Sequence, residues 1–450
     1  MIHQAPLHEV VDLTDPGQNQ ILNQSIEEAR SRISAGKPEA IGEIDGHFAL
    51  VGRKDEHVYL ARSLAIPLRY FIAKRAAGPA LIAANRISTI ADYLEREGMA
   101  DQFHPSYTRM APAHYLTDIS LVGCPDPSPV YRRFFEPERN TLPGDLDLIG
   151  RQYVEATARE IGRWLTSLDQ DAPVGVCFSG GIDSGAIFLL TYHQMLQQGM
   201  NPSRLKAFTL SIDGQGDDIA QAHDFLAKLN LSLFHEIIEA DKSALDLSRA
   251  VELLEDYKPL DVQAGAMTAA LLAEIRNRYG NWRYLLDGDG GDENLKDYPI
   301  EENPELTIRS VLNNPMLYHE GWGVHTIKHS LTYTGGLSRG CTRGFAPAAA
   351  FGFSLFSPFM LPSVVAVSEG IPFIELTDWD HEKLYALKGD IVSRGIRQVT
   401  GMAMPTFEKR RFQHGAASRN VLEEELPDSQ HTYRQAFQTL YAHSTDEGHS

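Results

Sequence analysis

Three short segments of this chain carry residue types that could do chemistry. The first, Ser179-Gly180-Gly181-Ile182-Asp183-Ser184, directly follows the apolar run Val174–Phe178. Adjacent glycines let backbone approach an anion without a Cβ clash. The segment opens a helix, whose free N–H groups and positive dipole end favour phosphate. Ser179 and Ser184 add hydroxyl donors. A carboxylate beside phosphates, here Asp183, is the usual partner of Mg2+. No Gly-Lys-Ser/Thr triplet follows, so this is not the Walker loop. The second segment, Asp287-Gly288-Asp289-Gly290-Gly291-Asp292-Glu293, follows the short run Arg283–Leu286. Taken alone it reads as readily as a surface turn. The third, Glu408-Lys409-Arg410-Arg411, gathers cations that could stabilise charge building on a phosphate, with a solvated basic run as the plain alternative.

The elements around these segments alternate. Apolar positions Ile149, Tyr153, Ala156, Ile161 and Leu165 predict a helix over 148–168. Then come a buried strand at 174–178, a helix at 186–195, a strand at 205–212 and a helix at 219–229. A helix at 264–278 leads to a strand at 283–286. Strands alternating with helices of this length predict a parallel sheet with right-handed crossovers. Ligands on such sheets bind outside the carboxyl ends of the strands, where the first two segments fall. From about 40 to 130 the pattern differs. Phe48–Gly52, Val58–Ala61 and Leu81–Ala84 are short apolar runs between turns, and predict a mostly antiparallel sheet. Between the halves, Pro137, Asn140, Pro143 and Gly144 mark a linker over 136–147.

Composition narrows the function classes. The 450 residues are 43% hydrophobic and 22% charged, an ordinary globular balance that favours two or three domains. A formal net charge of −19 disfavours broad binding of nucleic acid. Cys124, Cys177 and Cys341 form no C-x-x-C pair, which argues against a zinc ribbon or redox dithiol and fits a reducing compartment. No apolar signal core or membrane-length run is present, so the cytoplasm is the expected location. No His-Glu-x-x-His or Gly-x-Ser-x-Gly motif occurs. His235-Glu236 reads as structural, and Trp282, Trp322 and Trp379 read as core or pocket walls.

The first segment resembles the pyrophosphate-binding loop of the N-type ATP pyrophosphatases, which cut ATP between the α- and β-phosphates. The second resembles the S-G-[DE]-G-x-D-E motif of asparagine synthetases. That resemblance implies roles residue by residue. Asp183 and Asp292 would hold Mg2+. Ser179, Gly180, Gly181 and Ser184 would hold the pyrophosphate. Asp287 and Gly288 would contact ATP, Leu210 would lie on the adenine side, and Asp289 would help form the acyl-adenylate. The third segment resembles the family's K-x-x-[FG]-x-x-G stretch, in which Lys409 would contact the α-phosphate, with Arg410 as the alternative. Ser357–Pro362 and Glu255–Asp261 also resemble family segments and read as packing elements. The implied fold is α/β. A parallel-sheet ATP-pyrophosphatase domain, adenine-nucleotide α-hydrolase-like, spans 146–450. A smaller β-rich, degenerate glutamine-amidotransferase-like (Ntn) domain spans 1–145.

Asp45–Leu50, Ala61–Ser63 and Arg69–Phe71 carry the amidotransferase resemblance. The family's nucleophile is a cysteine after the initiator methionine, whereas Ile2 stands here. Glutamine hydrolysis is therefore not expected, and the region reads as vestigial and structural. β-Lactam synthetases share such a loss but carry a tyrosine where Asp289 stands. Asn294-Leu295-Lys296-Asp297 replaces the family's L-F-G-G, so plain aspartate is not the expected substrate. The resulting expectation is a ligase that adenylates a small-molecule or peptide carboxylate with ATP and Mg2+, then passes it to an amine donor. No membrane partner is expected, and a homodimer is left open. The competing enzyme class is an N-type pyrophosphatase that modifies a nucleotide or tRNA. The non-enzyme alternative is an inactive scaffold of the same fold.

Overall fold

The computed structural model describes residues 9–120, 129–214, 216–298, 300–301, 307–313, 341–407 and 415–441. Five strands form an all-parallel sheet in the order His235–Ala240, Leu205–Ile212, Val174–Cys177, Tyr284–Leu286, Ser354–Phe356. From the central Val174–Cys177 strand the chain moves outward to Leu205–Ile212 and His235–Ala240. It then returns to the other side with Tyr284–Leu286. The order thus reverses between Val174–Cys177 and Tyr284–Leu286, and the crevice at such a switch point is where open α/β sheets bind ligands.

Alternation along the strands loads both faces of the sheet. Val174, Val176, Ala207, Leu286 and Phe356 pack with Tyr153, Ile161, Ile187, Phe188 and Ile391. These partners come from the helices Leu146–Ser167, Ile182–Gln197 and His381–Thr400. Phe208, Leu210, Ile212, Ile238 and Leu285 face the other way, against Val262, Met267 and Leu271 of the helix Pro259–Arg278. The helix bounds follow from local chemistry. Asp145 caps the 22-residue helix by accepting from the backbone N–H groups of Asp147 and Leu148. Asp380 caps His381–Thr400 in the same way, and Gly401 ends it at φ +76°.

The expected alternation is present, with ends displaced by a few residues. The predicted strand at 205–212 is observed over the same residues. The helices predicted to begin at 186 and 264 begin earlier, at Ile182 and Pro259. The first begins inside the glycine loop and the second at a proline suited to a first helical turn.

The N-terminal region forms two four-stranded sheets. One runs Glu9–Asp12, Gly78–Ala84, Arg69–Arg75, Arg109–Met110, and the other Val130–Arg133, Tyr115–Ser120, His57–Arg62, Ala49–Lys54. All pairings in them are antiparallel except that of Glu9–Asp12 with Gly78–Ala84. Val58 and Leu60 from one sheet share an apolar cluster with Tyr70 and Leu81 from the other. A two-stranded ribbon, Gln20–Ile21 against Gly46–His47, lies outside both sheets. No helix among the described residues is long and apolar enough to cross a membrane.

Candidate active site

The two glycine-rich loops meet at the switch point. After Val174–Cys177 the backbone turns through Gly180 at φ +74°, where an added Cβ would stand 2.8 Å from the Ala222 nitrogen. That crowding and the positive φ both demand glycine. The loop is held in shape by its own hydroxyls. The Ser179 N–H donates to Ser184 Oγ at 3.2 Å, and the two serine oxygens lie 3.2 Å apart. Gln221 Nε2 donates to the Ser179 carbonyl at 3.3 Å. Asp183 follows in the first turn of the helix.

The second loop lies directly on Asp183. A Cβ on Gly288 would stand 2.8 Å from Asp183 Cβ, and one on Gly291 would overlap Asp183 Oδ1. These two positions must therefore be glycine for the loops to touch. Gly290, at φ +97°, caps the short helix Gly291–Asn294, which carries Asp292. The Asn294–Asp297 stretch continues directly from this short helix. Asn294 donates to the Phe359 carbonyl at 2.9 Å and to the Tyr153 hydroxyl at 3.2 Å.

Between the loops sits a lysine that the sequence did not single out. Lys388 comes from the helix His381–Thr400, and its side chain is 3% exposed. Its ammonium donates to Asp183 Oδ2 at 2.6 Å and to Asp292 Oδ1, and lies 3.5 Å from Asp297 Oδ2. Burial alone would lower its pKa. The carboxylates of Asp183, Asp292 and Asp297 reverse that and hold it well above the usual lysine range. One signal could have found it. Leu384, Leu387, Ile391, Val392 and Gly395 are the buried stripe of this helix, and Lys388 stands within it. A charged residue inside an apolar stripe needs a partner.

Asp287, buried, and Asp289, partly buried, form an acidic pair beside this cluster. Burial raises both carboxyls above the usual range, and their mutual repulsion raises Asp287 further. Asp287 accepts a hydrogen bond from the Asp289 N–H at 3.3 Å, and the Ser357 side chain pulls its carboxyl back toward the ordinary range. Arg343, from a π-helical turn over Cys341–Phe345, brings one cation to the group. Its Nη2 lies 3.9 Å from Asp289 Oδ1 and 3.8 Å from Glu293 Oε1. Asp261, fully buried, also acts electrostatically on Asp289 and Arg343. The segments around Ser357 and Asp261, read from sequence as packing, therefore reach the site. Cys177 beneath them carries a thiol pushed above its ordinary range by burial and by the charges of Asp287 and Asp289.

Asp183, Gly288, Gly291 and Asp292 are thus brought together, with Ser179, Gly180, Gly181 and Ser184 on the adjoining turn. Leu210 is not at an open edge. It is 2% exposed, two residues short of its strand's end, and packed in the apolar cluster with Phe208 and Ile212. Lys409 and Arg410 lie outside the described residues. His235 and Glu236 are structural, as expected. His235 pairs with the Thr209 hydroxyl at 2.9 Å, and Glu236 accepts from Arg278 at 2.9 Å.

Asp183 and Asp292 fit a divalent cation in donor type, because both carboxylates already converge on one ammonium. Among the described residues no set of three or more His, Cys, Asp or Glu side chains is arranged to hold a metal. Phosphate oxygens would have to complete any such coordination.

Residues 166–335 match the protein family Asparagine synthase. The matched stretch includes both glycine loops, so this part of the chain is similar to the asparagine synthase family of ATP-using carbon–nitrogen ligases. No curated protein matches the chain.

Proposed function

We propose that this protein activates a substrate carboxylate as an acyl-adenylate with ATP and transfers the acyl group to an amine, releasing AMP and pyrophosphate. The observation that carries this reading is the convergence of Asp183 and Asp292 on one buried cation, at the switch point of a parallel sheet. The Ser179–Ser184 turn offers N–H and hydroxyl donors to the β- and γ-phosphates at a helix N-terminus. Mg2+, when bound by Asp183 and Asp292, would neutralise phosphate charge. In the first step a carboxylate oxygen attacks the α-phosphorus in line and pyrophosphate leaves. Lys388 supplies positive charge near the leaving group, and Lys409 does so at the α-phosphate. In the second step the amine nitrogen attacks the acyl carbon and AMP leaves, while the amine gives up a proton. The raised pKa of the Asp287–Asp289 pair suits one of these carboxyls to that proton traffic. Positioning and charge stabilisation supply most of the rate.

Residues 1–145 are proposed as a degenerate amidotransferase-like domain without glutaminase activity, and 146–450 as the synthetase domain. The acceptor amine is then external ammonia, a separate amine or one within the substrate. The proposed location is the cytoplasm. The test is pyrophosphate release from Mg-ATP by the full-length protein, across a panel of amino acids, dicarboxylates and peptides, with and without ammonia. Release that depends on one carboxylate supports the ligase. No release and no Mg-ATP binding by calorimetry overturns it in favour of a scaffold.

A further inference from the structure

The outermost strand of the parallel sheet, Ser354–Phe356, is gripped from outside by the N-terminal ribbon. Gln20 and His47 face each other as a rung of that ribbon. Gln20 Nε2 donates to the Leu355 carbonyl at 2.7 Å, and its own oxygen accepts from Trp164 Nε1 at 3.2 Å. His47 Nε2 lies 3.1 Å from the Ser357 carbonyl. A carbonyl only accepts, so Nε2 carries the proton and His47 donates. The rung therefore hooks two alternate carbonyls of one edge, which fixes both the position of the strand along its axis and the start of the next turn. The His47 ring is 1% exposed, with its centroid 5.3 Å from that of Phe356, and Phe356 stacks on Trp164 at 5.0 Å. The adjoining cavity, lined by Gln20, His47, Phe345 and Ser357 among others, measures about 10 Å³. It is too small for a ligand larger than a water, so the rung is not itself a binding site.

What the rung holds leads straight into the candidate site. Ser357 is buried, and its side chain acts on the Asp287 carboxyl, favouring the charged form against burial. The Asp287 N–H donates to the Phe356 carbonyl at 3.3 Å, one residue before Ser357. We propose that the Gln20–His47 rung is a positioning device for the candidate site: through Ser357 it sets the place of the Asp287 carboxylate. On this reading, which rests on the function proposed above, the N-terminal region is more than a cover. His47 is a positioning residue, because it acts only through Ser357. Burial lowers its pKa to about 4, so the ring stays a neutral donor across the physiological range.

The test uses the full-length chain and three variants. His47→Leu removes the donor at similar volume, His47→Gln restores a donor of similar reach, and Ser357→Ala cuts the link to Asp287. Carboxyl carbon NMR, with Asp287 assigned through Asp287→Asn, should show its signal displaced in the same direction by His47→Leu and Ser357→Ala, and returned toward wild type by His47→Gln. In pyrophosphate release, His47→Leu should lower kcat on the order of 10-fold, the scale of a misplacement well under 1 Å, with a smaller change in KM for ATP. Combining His47→Leu with Ser357→Ala should cost little more than either alone. An unmoved Asp287 signal in a folded His47→Leu protein overturns the proposal, as does a fully additive double variant. If wild type neither releases pyrophosphate nor binds Mg-ATP, the proposed function fails by itself, and the Asp287 signal still decides the relay. If His47→Leu does not fold, His47→Gln and Ser357→Ala make the same comparison: equal signals for Gln and wild type, with a displaced one for Ala, uphold it, and any other pattern overturns it.

Discussion

Replacing Lys388 by methionine removes one charge from the centre of the site while leaving most of the side-chain volume in place. The methionine keeps the apolar stem packed in the helix stripe, so a cavity contributes little. The main effect is electrostatic. Asp183, Asp292 and Asp297 lose the cation that they share. At an effective dielectric of about 20, unit charges about 4 Å apart interact by about 4 kcal/mol. Removing one partner of a buried pair costs about 3–5 kcal/mol. The Asp292 side chain is 42% exposed and Asp183 22%, so water screens part of the repulsion and the lower end applies. The expected loss is therefore about 3 kcal/mol at neutral pH, and thermal unfolding should fall by roughly 3–5 °C. The assay is thermal and urea denaturation of wild type and Lys388→Met, each with and without Mg2+. Magnesium should recover a larger share of stability in the variant than in wild type, because the same two carboxylates converge there without a resident cation. A loss under about 1 kcal/mol, or equal magnesium responses in the two proteins, would refute the claim that this ammonium neutralises the aspartate cluster.

Asp183→Asn and Asp292→Asn should each abolish carboxylate-dependent pyrophosphate release with circular dichroism unchanged; turnover near wild type in either would remove the metal assignment. Gly291→Ala should force the second loop off Asp183, costing about 1–3 kcal/mol of stability and weakening Mg-ATP binding in calorimetry; a neutral effect on both would contradict the close approach of the loops. His47 gives a pH test. The unfolded histidine takes its proton near 6.5 and the folded one only near 4, so acid favours the unfolded chain. The stability of wild type relative to His47→Gln should therefore fall by about 3 kcal/mol between pH 7 and pH 4. A pH-independent difference in urea denaturation would show that the ring is not held neutral.

Much of the site could be read from local sequence because its parts are local. The glycine loops follow strands whose apolar runs are plain, and each loop's backbone demands are met within a few residues, as Gly180, Gly288 and Gly291 show. The mostly antiparallel N-terminal strands were legible in the same way. The side-chain setting of Leu210 was not, since a place in a strand does not by itself say which face the side chain takes. Its neighbours put it in the core.

The sequence by itself determined the alternating α/β pattern, the two anion-suited loops and the acidic charge, since these depend on periodicity and on residues close in the chain. Only the tertiary structure decided which distant groups meet. Lys388 lies 205 positions from Asp183 and 96 from Asp292, and His47 lies 310 from Ser357. Their pairing comes from how helices and an edge ribbon pack on the sheet. No local pattern encodes such a contact, because burial gives a charge or a donor its partner only once the whole core has closed around it.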